Sequence, residues 1–389
     1  MDDTSAPSAS DDATAARRAD DASRNAALAL SFALPGDTLL YLLLPLYAAS
    51  FGVTLPEAGI LLAANRLVRI AGYGWVGRVY AARGPRAACL LAAAGAIVST
   101  FMYAVASGLW PLLIARLMWG LSFAAMNIAN QALPTSVIAG AAQRMGRSRA
   151  IISVGPTVGL LGGAVLANAY GPRSVFLVLT VVALIAPFFA ARISADRDPA
   201  HLIGPRFEKP GPISIWSFSV GFTIDGLFIF GLGLLAAVSF PTGAVLATGV
   251  AMSLRYASEM IFAPIGGRLG HLFGARRMLV ALSLLTAGAL LLLAGSGLWL
   301  WIGAVTAITL RAISGPLSAP VPDRSSRVSY FQFCRRSRST GSRRSCLAQR
   351  ACGCCDWKRP ARGIDDARCP QTPCIAGTCE GRHGRPLRT

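Results

Sequence analysis

The stretch that decides the fold is GRVYAARGPR at residues 77–86, which returns as GRLGHLFGAR at residues 267–276. Each copy follows a long apolar segment and precedes another, so each is predicted to be a short basic turn between two hydrophobic helices. The positions that match at an offset of 190 residues are Gly77, Arg78, Gly84, Arg86, Gly267, Arg268, Gly274 and Arg276. Such a repeat predicts a duplicated membrane protein.

Two further features recur at nearly the same offset. Asp37 lies in the first apolar segment, and Asp225 lies 188 residues later in the segment that would open a second half. The pattern Arg-x-x-x-Gly begins at Arg116 and again, 195 residues later, at Arg311. Three matches at nearly one offset favour a duplication over coincidence.

The composition is that of a protein that lies mostly in lipid. Charged residues make up 14% of the chain, hydrophobic residues 54%, and the mean hydropathy is +0.53, whereas soluble domains average about 25% charged residues. Runs of roughly 20 apolar residues, enough to cross a ~30 Å hydrocarbon core, predict an all-α polytopic protein with about ten transmembrane helices. The predicted spans lie near residues 27–50, 57–80, 87–107, 110–134, 149–170, 174–193, 214–238, 243–266, 277–296 and 298–320.

The distribution of charged residues predicts the regions of the chain and its orientation in the membrane. The expected regions are a disordered cytoplasmic tail at 1–26, a six-helix bundle at 27–193, a linker at 194–213, a partial four-helix bundle at 214–320 and a basic tail at 321–389. Arginines concentrate in alternate loops, so those loops and the N-terminus are expected to be cytoplasmic, in a bacterial inner membrane. The same loops largely explain the net charge of +9 on residues 1–320, and no nucleic-acid partner is expected.

With these motifs, residues 27–320 resemble the major facilitator superfamily of secondary transporters. The family's turn between helices 2 and 3 reads Gly-x-Leu-x-Asp-x-x-Gly-Arg-Arg/Lys, and residues 77–86 correspond to it, with Ala81 where the family has the acid. The second copy has His271 there. The resemblance implies two six-helix halves that move about a central site, with a cytoplasmic gate latched differently from that of relatives.

The resemblance extends to helices 4 and 5. The Arg-x-x-x-Gly pattern of helix 4 is met at Arg116, although an arginine that reaches a membrane interface is the alternative explanation. The helix-5 pattern Gly-Pro-x-x-Gly-Gly is met by Gly155, Pro156, Gly159, Gly162 and Gly163. In the family this pattern marks proton-coupled antiporters, which implies efflux. The alternatives are simple helix packing in an uptake symporter, or an inactive membrane remnant.

Eight charged residues lie inside predicted spans, where they are costly and mark ion or substrate pathways. They are Asp37, Arg66, Arg69, Arg116, Asp225, Arg255, Glu259 and Arg311. We predict that Asp37 carries the proton, in a network with Arg116 and Arg66. Arg69 and Glu259 occupy equivalent repeat positions with opposite charge. In the second half, a structural ion pair is as well supported as a coupling role.

The tail at 321–389 has a different composition. It holds eight of the nine cysteines, with 15 basic and 5 acidic residues. Its cysteine spacing does not match a zinc site, so no metal is predicted. We interpret the tail as a frameshifted reading of the gene, because codons for residues 354–360 read one base later permit a Gly-Pro pair like that of helix 5. On this reading helices 11 and 12 are missing.

The remaining expectations concern partners. No hydrolase, dehydrogenase, kinase or dinucleotide motif is present, so the chain is not expected to be an enzyme or to hold a cofactor. The expected partners are a small-molecule substrate, protons and the lipid bilayer. A monomer is expected from the family resemblance.

Overall fold

A computed structural model describes residues 9–137, 140–194, 212–224, 231, 243–292, 295 and 298–318. Within these ranges the regular structure is helical, as the sequence predicted. The helices are α1 (Ala9–Ala33), α2 (Pro35–Leu46), α3 (Leu55–Val105), α4 (Leu109–Thr135), α5 (Ala141–Tyr170), α6 (Pro172–Ala183), α7 (Ala186–Ala191), α8 (Pro212–Phe222), α9 (Ala244–Phe273), α10 (Ala275–Leu291) and α11 (Leu298–Ser314).

The first helix begins earlier than the sequence predicted. Residues 9–26, expected to form a disordered tail, belong to α1. The reason is a packed face of small residues, since Ala19, Ala22 and Ala26 are buried and alanine has the highest helix propensity. On the exposed side an Arg24–Asp21 ion pair of 3.1 Å spans one turn. The polar face is therefore the outer side of a helix whose inner side packs against the bundle.

Both copies of the basic repeat contain a glycine with a positive φ angle. The predicted spans 57–80 and 87–107 are two helical segments of α3, joined at Gly84, where the backbone leaves the helical conformation with φ +82°. Gly274, which separates α9 from α10, has φ +85°. Glycine adopts such angles without the strain that a Cβ introduces. The predicted turn thus needs only one residue, and the same residue type makes it in both halves.

Five segments within the described ranges are long and apolar enough to cross a membrane. They are Ala13–Leu46, Leu55–Val105, Leu109–Thr135, Ala141–Tyr170 and Pro172–Ala191, and a shorter apolar helix covers Ile302–Leu317. The longest contains two of the predicted spans, joined at Gly84. Large apolar side chains on these helices are exposed, such as Ile70 at 75% and Trp110 at 72%, as lipid-facing residues are.

The first half has a continuous buried core. The Phe176 ring packs edge to face on two other rings, with its centroid 6.0 Å from that of Phe51 and 5.6 Å from that of Tyr103. Leu39 and Leu43 of α2 are fully buried in the same cluster. This core fixes α2 between α3, α5 and α6, and so positions the polar residues at the start of α2.

The two halves meet where α5 packs along α9. A Cβ on Gly146 would lie 2.6 Å from the carbonyl oxygen of Ala263, and a Cβ on Gly267 would lie 2.5 Å from that of Ala142. Small residues let membrane helices approach this closely. Gly267 of the second basic repeat is therefore a packing residue of the contact between the halves.

Candidate functional site

Asp37 is held inside the first half by the local sequence around it. Pro35 starts α2 and Asp37 lies in its first turn, where the helix dipole favours a negative charge. Gly36 packs directly on α3, since a Cβ there would lie 2.5 Å from Oγ1 of Thr100. Asp37 is 5% exposed. The sequence Pro-Gly-Asp therefore brings a carboxylate into the middle of the helix bundle.

Two arginines and an amide surround this carboxylate. Oδ1 forms an ion pair with Nη1 of Arg116, a residue with no exposed surface. The same oxygen accepts a hydrogen bond of 3.1 Å from Nδ2 of Asn65. Oδ2 lies 3.5 Å from Nη2 of Arg69. One carboxylate thus faces two guanidinium groups, and the cluster carries an excess positive charge.

The Arg-x-x-x-Gly pattern explains how Arg116 reaches Asp37. Nε of Arg116 donates a 3.1 Å hydrogen bond to the carbonyl oxygen of Leu61, which ties α4 to α3. One turn later, a Cβ on Gly120 would lie 3.0 Å from both oxygen atoms of Asn65. Glycine at that position lets the two helices close around the ion pair. Arg116 is therefore an internal residue and does not reach a membrane interface.

Arg69, rather than Arg66, is the second partner of Asp37. Nε of Arg69 donates to Oδ1 of Asn65 at 3.0 Å, and its guanidinium carbon lies 3.7 Å from the centroid of the Phe123 ring. The sequence analysis placed Arg66 in this network, which is corrected here. Arg66, three residues before Arg69 on α3, is exposed, with its guanidinium carbon 6.0 Å from the centroid of the Tyr41 ring.

The second half contributes a smaller cluster. Glu259 of α9 is 8% exposed and accepts a 3.0 Å hydrogen bond from Oγ of Ser153 on α5. Arg255, one turn earlier, lies 3.8 Å from the other carboxylate oxygen. Glu259 therefore links the two halves. Arg311 lies half-buried on α11, and Asp225 lies outside the described residues.

The helix-5 motif packs α5 against the helices that hold Asp37. The N–H of Gly155 donates to Oγ of Ser31 at 3.0 Å. A Cβ on Gly159 would lie 2.8 Å from Pro35, and one on Gly163 would lie 2.5 Å from Leu39. Two motif residues have other surroundings. Pro156 is buried inside α5, and a Cβ on Gly162 would meet no atom within 4 Å.

The basic repeat residues lie at the helix bend and the interhelical turn. Gly77 has open space where a Cβ would be. The arginines of the two copies are all exposed: Arg78, Arg86, Arg268 and Arg276. At the same end of the bundle, Arg144 fastens the turn between α4 and α5 through the carbonyl oxygens of Pro134 and Val137.

Asn65 is the site residue that the sequence analysis missed. It is fully buried and bonds both Asp37 and Arg69, so it orients the carboxylate toward the arginines. Its Nδ2 also lies 3.4 Å from the hydroxyl of Tyr41. An amide immediately before Arg66 in an apolar span was the available signal, because polar groups in lipid need partners.

These features define the class: a duplicated, all-helical membrane protein with ion pairs inside its spans, the architecture of a secondary transporter. The chain belongs to the major facilitator superfamily, whose sequence profile matches residues 26–246. The expected family is thereby confirmed, and with it a role in membrane transport.

Solved structures of similar fold are also transporters. The human organic anion transporter MFSD10 (TETRAN) is 17% identical, with a TM-score of 0.53 over 77% of this chain and 84% of that one. A peptide transporter, POT, whose structure is a complex with sulfate, is 13% identical, with a TM-score of 0.51 over 80% and 84%. No curated protein matches the chain.

Proposed function

We propose that this protein is a proton-coupled transporter of a small molecule and that Asp37 is its proton-binding group. The observation that supports the proposal is the buried contact of Asp37 with Arg116 and Arg69. These residues belong to α2, α4 and α3, so one carboxylate joins three helices. Buried ionisable residues in transporters commonly form proton relays.

Protonation of Asp37 changes the forces between those helices. The charged carboxylate offsets the mutual repulsion of Arg69 and Arg116, and the protonated one does not. Loss of the negative charge therefore loosens α3 and α4 relative to α2, and deprotonation restores the contact. Because α2 also packs on Gly163 of α5, and α5 contacts Glu259 of the second half, a shift of α2 has a physical route to the contact between halves.

The direction of transport has two candidates. The helix-5 motif, by resemblance, supports efflux by antiport. The arginine-rich turns support a cytoplasmic position for these turns and for the N-terminus, in a bacterial inner membrane. The family resemblance supports a monomer. Symport is supported by the contact of Arg69 with Asp37. Protonation of Asp37 releases the guanidinium group of Arg69, which an anionic substrate can then bind. The first candidate requires proton and substrate to bind alternately, and the second requires them to bind together.

The test compares wild-type protein with Asp37→Asn, a variant of nearly equal volume that carries no charge. Infrared difference spectra across a pH step report carboxyl protonation in purified protein without any substrate. We expect the wild-type spectrum to contain a carboxylic acid band that Asp37→Asn lacks and Glu259→Gln retains. An identical band in Asp37→Asn would overturn the assignment.

Transport is measured in everted membrane vesicles with an imposed pH gradient and a panel of labelled organic anions, cations and neutral compounds. We expect gradient-driven movement of at least one class in wild-type vesicles and none in Asp37→Asn, with equal amounts of inserted protein in both. Gradient-driven movement that persists in Asp37→Asn would contradict the proposal. The sign of the movement distinguishes efflux from uptake.

A further inference from the structure

We propose that the transported molecule is an organic anion and that Arg66 and Arg69 bind its charged group. The inference rests on the proposed role of Asp37 and names the substrate class of the same site. Four observations support it: the charge balance of the spans, the exposure of Arg66, the polar stripe on α3 and the two aromatic rings beside it.

The predicted spans carry more positive than negative charge. The eight charged residues singled out inside the spans comprise five arginines and three carboxylates, Asp37, Asp225 and Glu259. Uncompensated charge inside a membrane is costly. In the first half this set holds one carboxylate and three arginines; Asp37 pairs with Arg69 and Arg116, and none of the ion pairs found in the described ranges includes Arg66. An anionic ligand would balance this excess.

Arg66, Arg69 and Tyr73 form a polar stripe along one face of α3. Their spacing of three and four residues places them one turn apart on the same side of the helix. Asn127 of α4 donates to the hydroxyl of Tyr73 at 2.9 Å, so the stripe continues onto the neighbouring helix. Ile70, four residues after Arg66 and three before Tyr73, lies on the same face and is 75% exposed, so this face of α3 is not covered by the described residues. Partly exposed polar residues within a transporter span are expected to line its water-filled cavity.

The chemistry of the stripe suits a carboxylate on an apolar body. A guanidinium presents a planar fork that binds carboxylate oxygens in pairs. Asn65 and Phe123 hold Arg69 in place from one side each, so little rotamer freedom remains to be lost on binding. The Tyr41 ring lies 6.0 Å from Arg66. Two aromatic rings thus flank the two cationic groups and can pack against an apolar substrate body.

Buried Arg116 adds a donor at the inner end of the site. Its Nη2 atom is buried and has no well-aligned acceptor among the described residues, although the Tyr103 hydroxyl lies close to the guanidinium, while Nη1 holds Asp37. An unpaired buried donor is unfavourable. A carboxylate oxygen that enters between Arg69 and Arg116 would satisfy it.

Asp37 and the anion compete for Arg69, which couples binding to the proton. The charged and titratable groups around Asp37 are Arg116 from α4, Arg69 from the first part of α3, Tyr103 from its second part and Tyr41 from α2. Only Asp37 among them is negative. When Asp37 takes up a proton, Arg69 loses its competing partner, so anion binding tightens as pH falls. Proton and anion then move together, which corresponds to symport.

The experiment measures binding of three probes of similar size and different charge: benzoate, benzamide and benzylammonium. Saturation-transfer NMR on the full chain in nanodiscs detects weak binding, and empty nanodiscs correct for partition into lipid. We expect benzoate to bind and the other two probes not to bind. Arg69→Gln should weaken benzoate binding about tenfold or more, the loss of one charge-assisted contact, and Arg66→Gln should weaken it less.

Matched variants separate a binding role from a structural one. Arg83→Gln removes an exposed arginine of the same helix outside the stripe and should leave benzoate binding unchanged. Arg69→Lys keeps the charge but not the fork, and should bind benzoate better than Arg69→Gln. Benzoate binding should tighten as pH falls in the wild-type protein and should be nearly independent of pH in Asp37→Asn.

The possible outcomes separate this inference from the proposed function. Preferred binding of benzylammonium, or equal benzoate binding in wild type and the Arg66→Gln/Arg69→Gln double variant, would overturn the anion assignment and leave the proton role of Asp37 standing. Benzoate binding with the same pH dependence in wild type and Asp37→Asn would overturn the role of Asp37 and leave the substrate class standing.

Discussion

The contribution of the Asp37–Arg116 ion pair to stability can be measured with single and double substitutions. Arg116→Met leaves a buried carboxylate whose remaining cationic partner, Arg69, is 3.5 Å away, so we expect a loss of roughly 3–5 kcal/mol of stability, typical of breaking a buried ion pair. Asp37→Asn/Arg116→Met removes both charges and should lose less than Arg116→Met alone. Unfolding of the four proteins in one lipid composition measures the difference. A double variant at least as unstable as the sum of the single variants would contradict the pairing.

At the scale of the residue, the sequence predicts which side chains matter better than it predicts their partners. A charge in an apolar span is conspicuous, so Asp37 and Arg116 could be paired in advance. Arg66 and Arg69 are three residues apart on one helix face, and the choice between them depends on where α2 crosses α3. Nothing in the local sequence fixes that crossing. The same dependence on packing hid Asn65, whose two partners lie on α2 and α3.

At the scale of the element, the helix-5 motif gives a matched pair of glycine substitutions. Gly155→Ala places a methyl group against the carbonyl oxygen of Ser31, and overpacking of this kind typically costs about 1–3 kcal/mol. Gly162→Ala enters open space and should be neutral or stabilising by up to ~1 kcal/mol, because alanine is the better helix residue. Thermal unfolding of the purified variants tests the difference. Equal destabilisation by both would show that the contact with α1 is not what the motif provides.

The ends of the helices are harder to predict from the hydrophobic pattern of the sequence than the helices themselves. The two apolar spans within α3 and the turn between them were predicted, but not that Gly84 alone makes the turn. Because a single residue with φ +82° redirects the chain, no loop residues are needed to mark the boundary. Residues 9–26 were misjudged for a different reason. Their acidic residues suggested a solvated tail, while the buried alanines that stabilise α1 carry no strong hydrophobic signal.

At the scale of the whole molecule, the duplication was readable because the turn chemistry repeats. Gly84 and Gly274 adopt the same unusual backbone angle 190 residues apart. The charged residues of the halves have diverged, since Arg69 contacts Asp37 in its own half and Glu259 contacts Ser153 across the halves. The sequence thus predicts the symmetric scaffold, and the asymmetric contacts that would give the halves different roles require the packed structure.

The last prediction concerns the gene beyond about codon 320. A six-helix second half would require two more apolar spans, and four helices cannot enclose a central cavity with the first half. We expect genomic sequence of the 3′ end, translated one base out of register, to encode two spans of about 20 apolar residues, with Gly-Pro in the first. That result would assign the site at Asp37 to a twelve-helix transporter. If neither alternative frame encodes such spans, the cysteine-rich tail is the true continuation, and a central site between two moving halves requires a second copy or another partner to complete the cavity.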